Sequence, residues 1–139
     1  MNQVQQIALS VMCADGVFER HPRLNIILEE LGVDWFVRWA RTLDFLTDVA
    51  VIDAMIGGWD LPMKPSEYLL CNVKVTPLRG QELHGVIDEA PDVVVFSSDF
   101  PHPEGSKTAV VDFESALDGV DEPVKQRFFG NTMAEVLAR

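Results

Sequence analysis

Basic residues are scarce in this sequence. Lys and Arg number 11 against 22 Asp and Glu, a formal net charge of −11. Such an excess repels a phosphate backbone or an anionic lipid surface, so neither nucleic acid nor membrane is expected as a partner. Long apolar runs are missing as well, with nothing near the roughly 18 residues needed to cross a bilayer. Only two cysteines occur, Cys13 and Cys71, far apart and in no CxxC pair. That excludes a zinc knuckle and a disulfide framework, and both read as buried thiols of a reducing, cytoplasmic compartment. No Lys or Arg precedes the apolar residues of "MNQVQQIALSVMCADG", which removes the signature of a signal peptide. Internal repeats, low-complexity tracts and long linkers are absent too.

What is present suits a folded core. The 139 residues are 47% hydrophobic and 24% charged, the balance of a soluble globular chain. A single domain over residues 1–139 is expected, since domains commonly run to about 100–150 residues.

The apolar pattern alternates between two periods. Val4, Ile7, Ala8, Val11 and Met12 share a helical stripe within Gln3 to Arg20, before "RHP" stops it. "LNIILEE", Leu24 to Glu30, reads as a strand buried on both faces. A long helical region then opens at Gly32, with Phe36, Val37, Ala40 and Leu43 at core spacing. "GGWDLPMKPSEY" breaks it, and Ser66 is expected to cap a short helix. "CNVKVT", Cys71 to Thr76, is a second strand, ended by Pro77. Leu83, Val86, Ile87 and Ala90 make a helix, and "DVVVFSS" makes the third strand. Helices near Ala109 to Leu117, near Glu122 to Phe129 and from Asn131 close the chain. Strands separated by crossover helices predict an α/β fold with a parallel sheet.

In parallel α/β folds, functional groups gather at the carboxyl ends of strands. His21 precedes the first strand and His84 lies beside a helical stripe, so both read as structural. His102, in "VVVFSSDFPHPEG", follows the third strand and is the histidine placed for function. Asp99 follows that strand too, on the face of Val95 and Ser97. An acid ending an apolar face suits a hard oxygen ligand for a divalent metal or a general base, and equally suits a cap or turn acid. Glu30 ends the first strand, where a general acid, a partner to another site group and a solvated strand-end charge all fit.

Four blocks in order, "GVFERHPRLNIILEELGVDWF", "KPSEY", "VVVFSSDFPHPEG" and "FFGNTMAEVL", resemble the C-terminal part of an amidohydrolase-related protein, a branch of the metal-dependent hydrolases with a TIM-barrel fold. The likeness runs from about Gly16 to Leu137. It implies a partial TIM (β/α)8 barrel: about the last three parallel β/α units, with strands near residues 24–30, 71–76 and 93–98, plus extra C-terminal helices. It also implies that Asp99 ligates a divalent metal, zinc being the expected ion, and manages the proton of the attacking water. His102 and Glu30 are implied at the substrate. Many relatives carry a histidine where this chain has Glu30, and Asp34 stands where they have a small residue. The histidine or Glu/His pair that the family places after its first strand is not in this chain.

The implied activity is metal-dependent cleavage of a C–N or C–O bond in a small carboxylate or cyclic substrate, or decarboxylation of one. A full barrel typically takes about 250 residues. The isolated chain is therefore expected to be inactive and to bind no metal tightly, and to self-associate or to need a partner chain that completes the barrel. An inactive assembly fragment is the alternative to an enzyme segment.

Overall fold

The computed structural model describes residues 2–103 and 105–138, with the side chains of Ile52, Asp53 and Ile56 left aside. It divides into two compact units, residues 1–24 with 35–72, and residues 25–34 with 73–139.

The first unit is helical. α1 spans Gln3–Ala14 and α2 Val17–Arg20, α3 spans Phe36–Asp48, α4 Ala50–Ile56 and α5 Pro65–Asn72. The helix expected from Gln3 to Arg20 is thus two helices, because Gly16 between them adopts a left-handed φ of 65°. The apolar stripe expected in α1 faces outward. Val4, Ile7 and Val11 are 74%, 64% and 52% exposed, while Leu9 and Cys13 are buried. In α3 the expected spacing holds for Phe36, Val37 and Ala40, which are buried, while Leu43 is half-buried. Each such large apolar side chain contributes about 1.5–3 kcal/mol on burial.

α5 starts at Pro65, two residues before the start that a Ser66 cap implies. Pro65 takes the first helical position, where its missing N–H costs nothing, and the carboxylate of Glu67 accepts the Lys64 N–H at 2.7 Å in the manner of a capping box. Ser66 is not the cap. Its N–H and hydroxyl both donate to the Asp44 carboxylate of α3, at 2.8 and 2.6 Å. At the other end, buried Asn72 donates its side-chain amide to the Leu24 and Pro22 carbonyls at 2.7 and 3.2 Å. Cys13 is buried, but Cys71 is exposed, contrary to expectation, and neither forms a disulfide.

The second unit holds the sheet. β1, Ile26–Leu28, pairs in parallel with β2, Val73–Val75, in the register Ile26 to Val73 and Leu28 to Val75. β1 is shorter and less buried than "LNIILEE" suggested, with Ile27 36% exposed. The third stretch lies parallel to β2 but pairs through a single bridge, Val75 to Val94. The Val75 N–H donates to the Val93 carbonyl at 2.9 Å and the Val95 N–H to the Val75 carbonyl at 3.0 Å, and the Phe96 N–H then leaves the sheet for the Phe128 carbonyl at 2.9 Å. The expected strand over residues 93–98 is therefore a valine bridge followed by a turn toward the C-terminal helices.

Those elements are α6, His84–Glu89; α7, Ala109–Ala116; α8, Glu122–Gln126; a π-helical turn, Arg127–Asn131; and α9, Thr132–Leu137. Phe96 packs edge-on against Phe113 and Phe128, with ring centroids 5.9 and 6.1 Å apart. This aromatic cluster, worth about 0.5–1.5 kcal/mol per pair beyond burial, holds the turn after Val95. Val73, Val75, Leu83, Ile87, Val94 and Leu117 complete the core of this unit. Among the described residues, no helix is long and apolar enough to cross a membrane.

Candidate metal and substrate site

A cavity of about 1000 Å³ lies at the carboxyl ends of β1, β2 and the valine bridge, entirely within the second unit. Each of the three ends delivers polar groups to it. β1 runs into Glu29 and Glu30, β2 into Thr76 and Pro77, and the bridge into Ser97, Ser98 and Asp99.

The loop after the bridge is shaped by its own short-range bonds. Ser97 and Ser98 use their hydroxyls to accept the N–H groups of Asp99 and Phe100, both at 3.3 Å. The Asp99 carbonyl accepts the His102 N–H at 2.8 Å, closing a turn whose Phe100–Pro101 bond is cis. Ser106 N–H returns to the Ser98 carbonyl at 3.0 Å. Gly105 passes so close that a Cβ there would stand 2.2 Å from the Asp99 carbonyl oxygen, so the loop requires glycine at that point. The result brings the His102 imidazole over the acid, with Nδ1 3.4 Å from Asp99 Oδ2. Asp99 is 28% exposed at its side chain and His102 51%.

Glu30 reaches the same place from β1. Its N–H donates to Thr76 Oγ1 at 3.3 Å, a side-chain link across the two strand ends. Glu30 and Asp99 both have positive φ, 61° and 51°, a region that residues other than glycine occupy sparingly. Ligand atoms of Glu30, Asp99 and His102 lie within 4.8 Å of one another. Two carboxylates and an imidazole at that spacing are a donor set for one divalent cation, whose bonds to such atoms run about 2.0–2.2 Å. They fit a metal as an incomplete shell that further ligands would finish.

Among the lining residues, Glu29, Glu30, Asp99 and Asp112 oppose one guanidinium, that of Arg79. The balance favours cations. Arg79 Nε stands 3.6 Å from Asp112 Oδ2, and the same carboxylate accepts Ser106 Oγ at 2.9 Å and Thr108 Oγ1 at 3.1 Å.

The structure thus places all three expected site residues, Asp99, His102 and Glu30, around one cavity. His84 begins α6 and does not line the cavity. His21, at the end of α2, is exposed in the helical unit. Thr76, Arg79, Ser106 and Asp112 were not anticipated. Thr76 was accessible to the strand-end rule that found Asp99. Asp112 carries no such signal, since it arrives from the first turn of α7.

No protein-family model matches the sequence, and no curated protein does either. Solved structures do. An amidohydrolase from Mycobacterium avium subsp. paratuberculosis superposes with a TM-score of 0.73 at 28% identity, over 93% of this chain and 32% of that one. The 5-carboxyvanillate decarboxylase LigW from Sphingomonas paucimobilis matches at 0.69 and 30% identity, over 91% of this chain and 37% of the enzyme. A dihydroxybenzoic acid decarboxylase from Polaromonas, solved with manganese and the inhibitor 2-nitroresorcinol, shares the fold at 0.62 and 19% identity. The chain therefore spans about a third of the length of these enzymes.

Proposed function

We propose that this chain, structurally a part of an amidohydrolase-superfamily enzyme, carries one side of the active site of a metal-dependent hydrolase or decarboxylase. The convergence of Glu30, Asp99 and His102 at the carboxyl ends of parallel strands carries this reading. The structural neighbours are an amidohydrolase and two decarboxylases, which supports catalysis over a purely assembling role. The substrate class is a small carboxylate or a cyclic amide or ester.

Asp99 holds the divalent ion, with Glu30 and His102 beside it. One neighbour contains manganese, and two hard carboxylate donors suit that ion, so manganese is the divalent ion to test first. When bound, such an ion polarises a substrate oxygen or acidifies a water molecule. The protein's own contribution is to hold a carboxylate where a proton must be taken. Asp99 Oδ2 faces His102 Nδ1 at 3.4 Å, so a proton accepted by the carboxylate has a second base, the imidazole, within short reach. His102, on the exposed rim, contacts the substrate, and Glu30 meets it from β1. The remaining barrel supplies the other ligands, either from the same polypeptide or from a partner chain.

The test is manganese binding followed by electron paramagnetic resonance of the unbound ion. Wild type should bind weakly and in one-to-one ratio, and Asp99→Asn should remove that binding. Equal binding by the two proteins would end the metal reading.

A further inference from the structure

We propose that Gln81, which does not line the cavity, is the positioning residue that sets Glu30 at the site; the proposal rests on reading the cavity as a metal site. At the end of the pairing between β1 and β2 the Thr76 N–H meets the Leu28 carbonyl at 3.0 Å. Past that bond the loop carrying Glu30 is pinned by side chains. Thr76 Oγ1 takes the Glu30 N–H at 3.3 Å. Gln81 then provides three contacts through one amide. Its Oε1 accepts the Leu78 N–H at 2.8 Å and the Val33 N–H at 3.2 Å, and its Nε2 donates to Asp34 Oδ1 at 3.4 Å.

Glycine makes room for this amide. Gly32 has a φ of 69°, and a Cβ there would stand 2.5 Å from Gln81 Nε2. A side chain at 32 would push the Gln81 amide out of this position. The Gln81 backbone N–H also donates to the Leu78 carbonyl at 3.2 Å, so the turn that presents the amide is itself closed.

The pins bracket a strained residue. Glu30 sits at a φ of 61°, a conformation that strains a residue with a Cβ and persists only where surrounding bonds impose it. One pin acts at Glu30 itself and the other three residues on, at Val33. Removing the second lets the segment relax toward negative φ, which swings the carboxylate away from Asp99 and His102. Gln81 thereby acts through the backbone, without touching metal or substrate.

Two variants and two measurements test this. Gln81→Leu keeps the bulk and removes every polar contact. The double variant Gln81→Glu with Asp34→Asn retains the acceptor for Val33 and Leu78 and reverses the donor on the remaining bond. Manganese affinity, read by electron paramagnetic resonance well below the melting transition, should fall about tenfold in Gln81→Leu, the usual cost of losing a group that orients a ligand. The double variant should recover most of it. Unchanged affinity in Gln81→Leu, with Asp99→Asn abolishing binding, would overturn the proposal.

If Asp99→Asn binds manganese like wild type, the metal reading fails, and positioning is then decided by amide hydrogen exchange at Glu30. That amide bonds to Thr76, not to Gln81. Exchange at least tenfold faster in Gln81→Leu and restored in the double variant supports the positioning role, whereas unchanged exchange overturns it.

Discussion

The carbonyl oxygen of Asp99 occupies the space that a side chain on Gly105 would fill, 2.2 Å from the position of its Cβ. A methyl group there meets backbone on two residues, because Phe100 N is also within 2.9 Å. Gly105→Ala should therefore destabilise the chain by more than about 1 kcal/mol and disturb the Asp99 loop. Gly130→Ala, where a Cβ meets nothing within 4 Å, should change stability by less than about 0.5 kcal/mol. Thermal melting of the two variants checks the contrast, and a stable Gly105→Ala protein would refute the loop geometry.

Asp99→Asn should leave the fold intact, since the side chain is partly exposed and the amide keeps its volume. Combined with a segment that completes the barrel, wild type should gain metal-dependent activity and Asp99→Asn should lose it by at least about 100-fold. Circular dichroism and turnover measured on one preparation separate fold from chemistry. An active variant would end the assignment.

His102→Ala in the same completed enzyme should raise KM more than it lowers kcat, because a rim group that contacts the substrate equally in ground and transition states acts on binding. A loss confined to kcat would instead make the imidazole a proton carrier through Asp99.

The helical unit should weaken in alkali. Burial pushes the Cys13 thiol up to about 12, with the Asp44 charge adding to it. Burial likewise pushes the Tyr68 phenol up to about 12, with its hydrogen bond to Glu19 contributing. Both groups hold their protons more tightly folded than unfolded. Their contribution is full below the unfolded values, near 9 for the thiol and 10 for the phenol, and is lost as pH rises through about 12. Tyr68 is the chain's single tyrosine, so tyrosinate absorbance reports it alone. A phenol titrating near 10 in the folded protein would contradict the burial.

Val4, Ile7 and Val11 leave an apolar stripe on α1 open to water, and Ile27 is partly uncovered on β1. Such surface drives association. Light scattering should show oligomers that Ile7→Glu with Val11→Lys reduces. A monodisperse monomer at high concentration would argue that the stripe is tolerated.

How far the sequence foretold this depends on the range of the interactions. Phe36, Val37 and Ala40 were legible because a helix repeats its own period, and the placement of Asp99, His102 and Glu30 around one cavity because strand ends are marked by where apolar runs stop. The stripe of α1 was legible only as a stripe: Val4, Ile7 and Val11 mark a face, but not whether anything covers it. The third strand failed because its backbone partner beyond Val95 is Phe128, more than thirty residues away. Thr76 and Gln81 acquire their roles only when β1 and β2 lie side by side, and no spacing along the chain encodes that.

Glu30 and Asp99 share one more property: both are side-chain-bearing residues held where glycine would be at ease. A chain selected for durability alone would carry glycine at both positions, relieving about 1–2 kcal/mol of left-handed backbone cost at each, less what glycine loses in unfolded-state entropy. On the proposed metal reading, retaining two acids there trades robustness for chemistry. Laboratory selection for thermal tolerance without selection for activity should accordingly drift toward glycine or asparagine at residues 30 and 99, erasing the site first and the fold last.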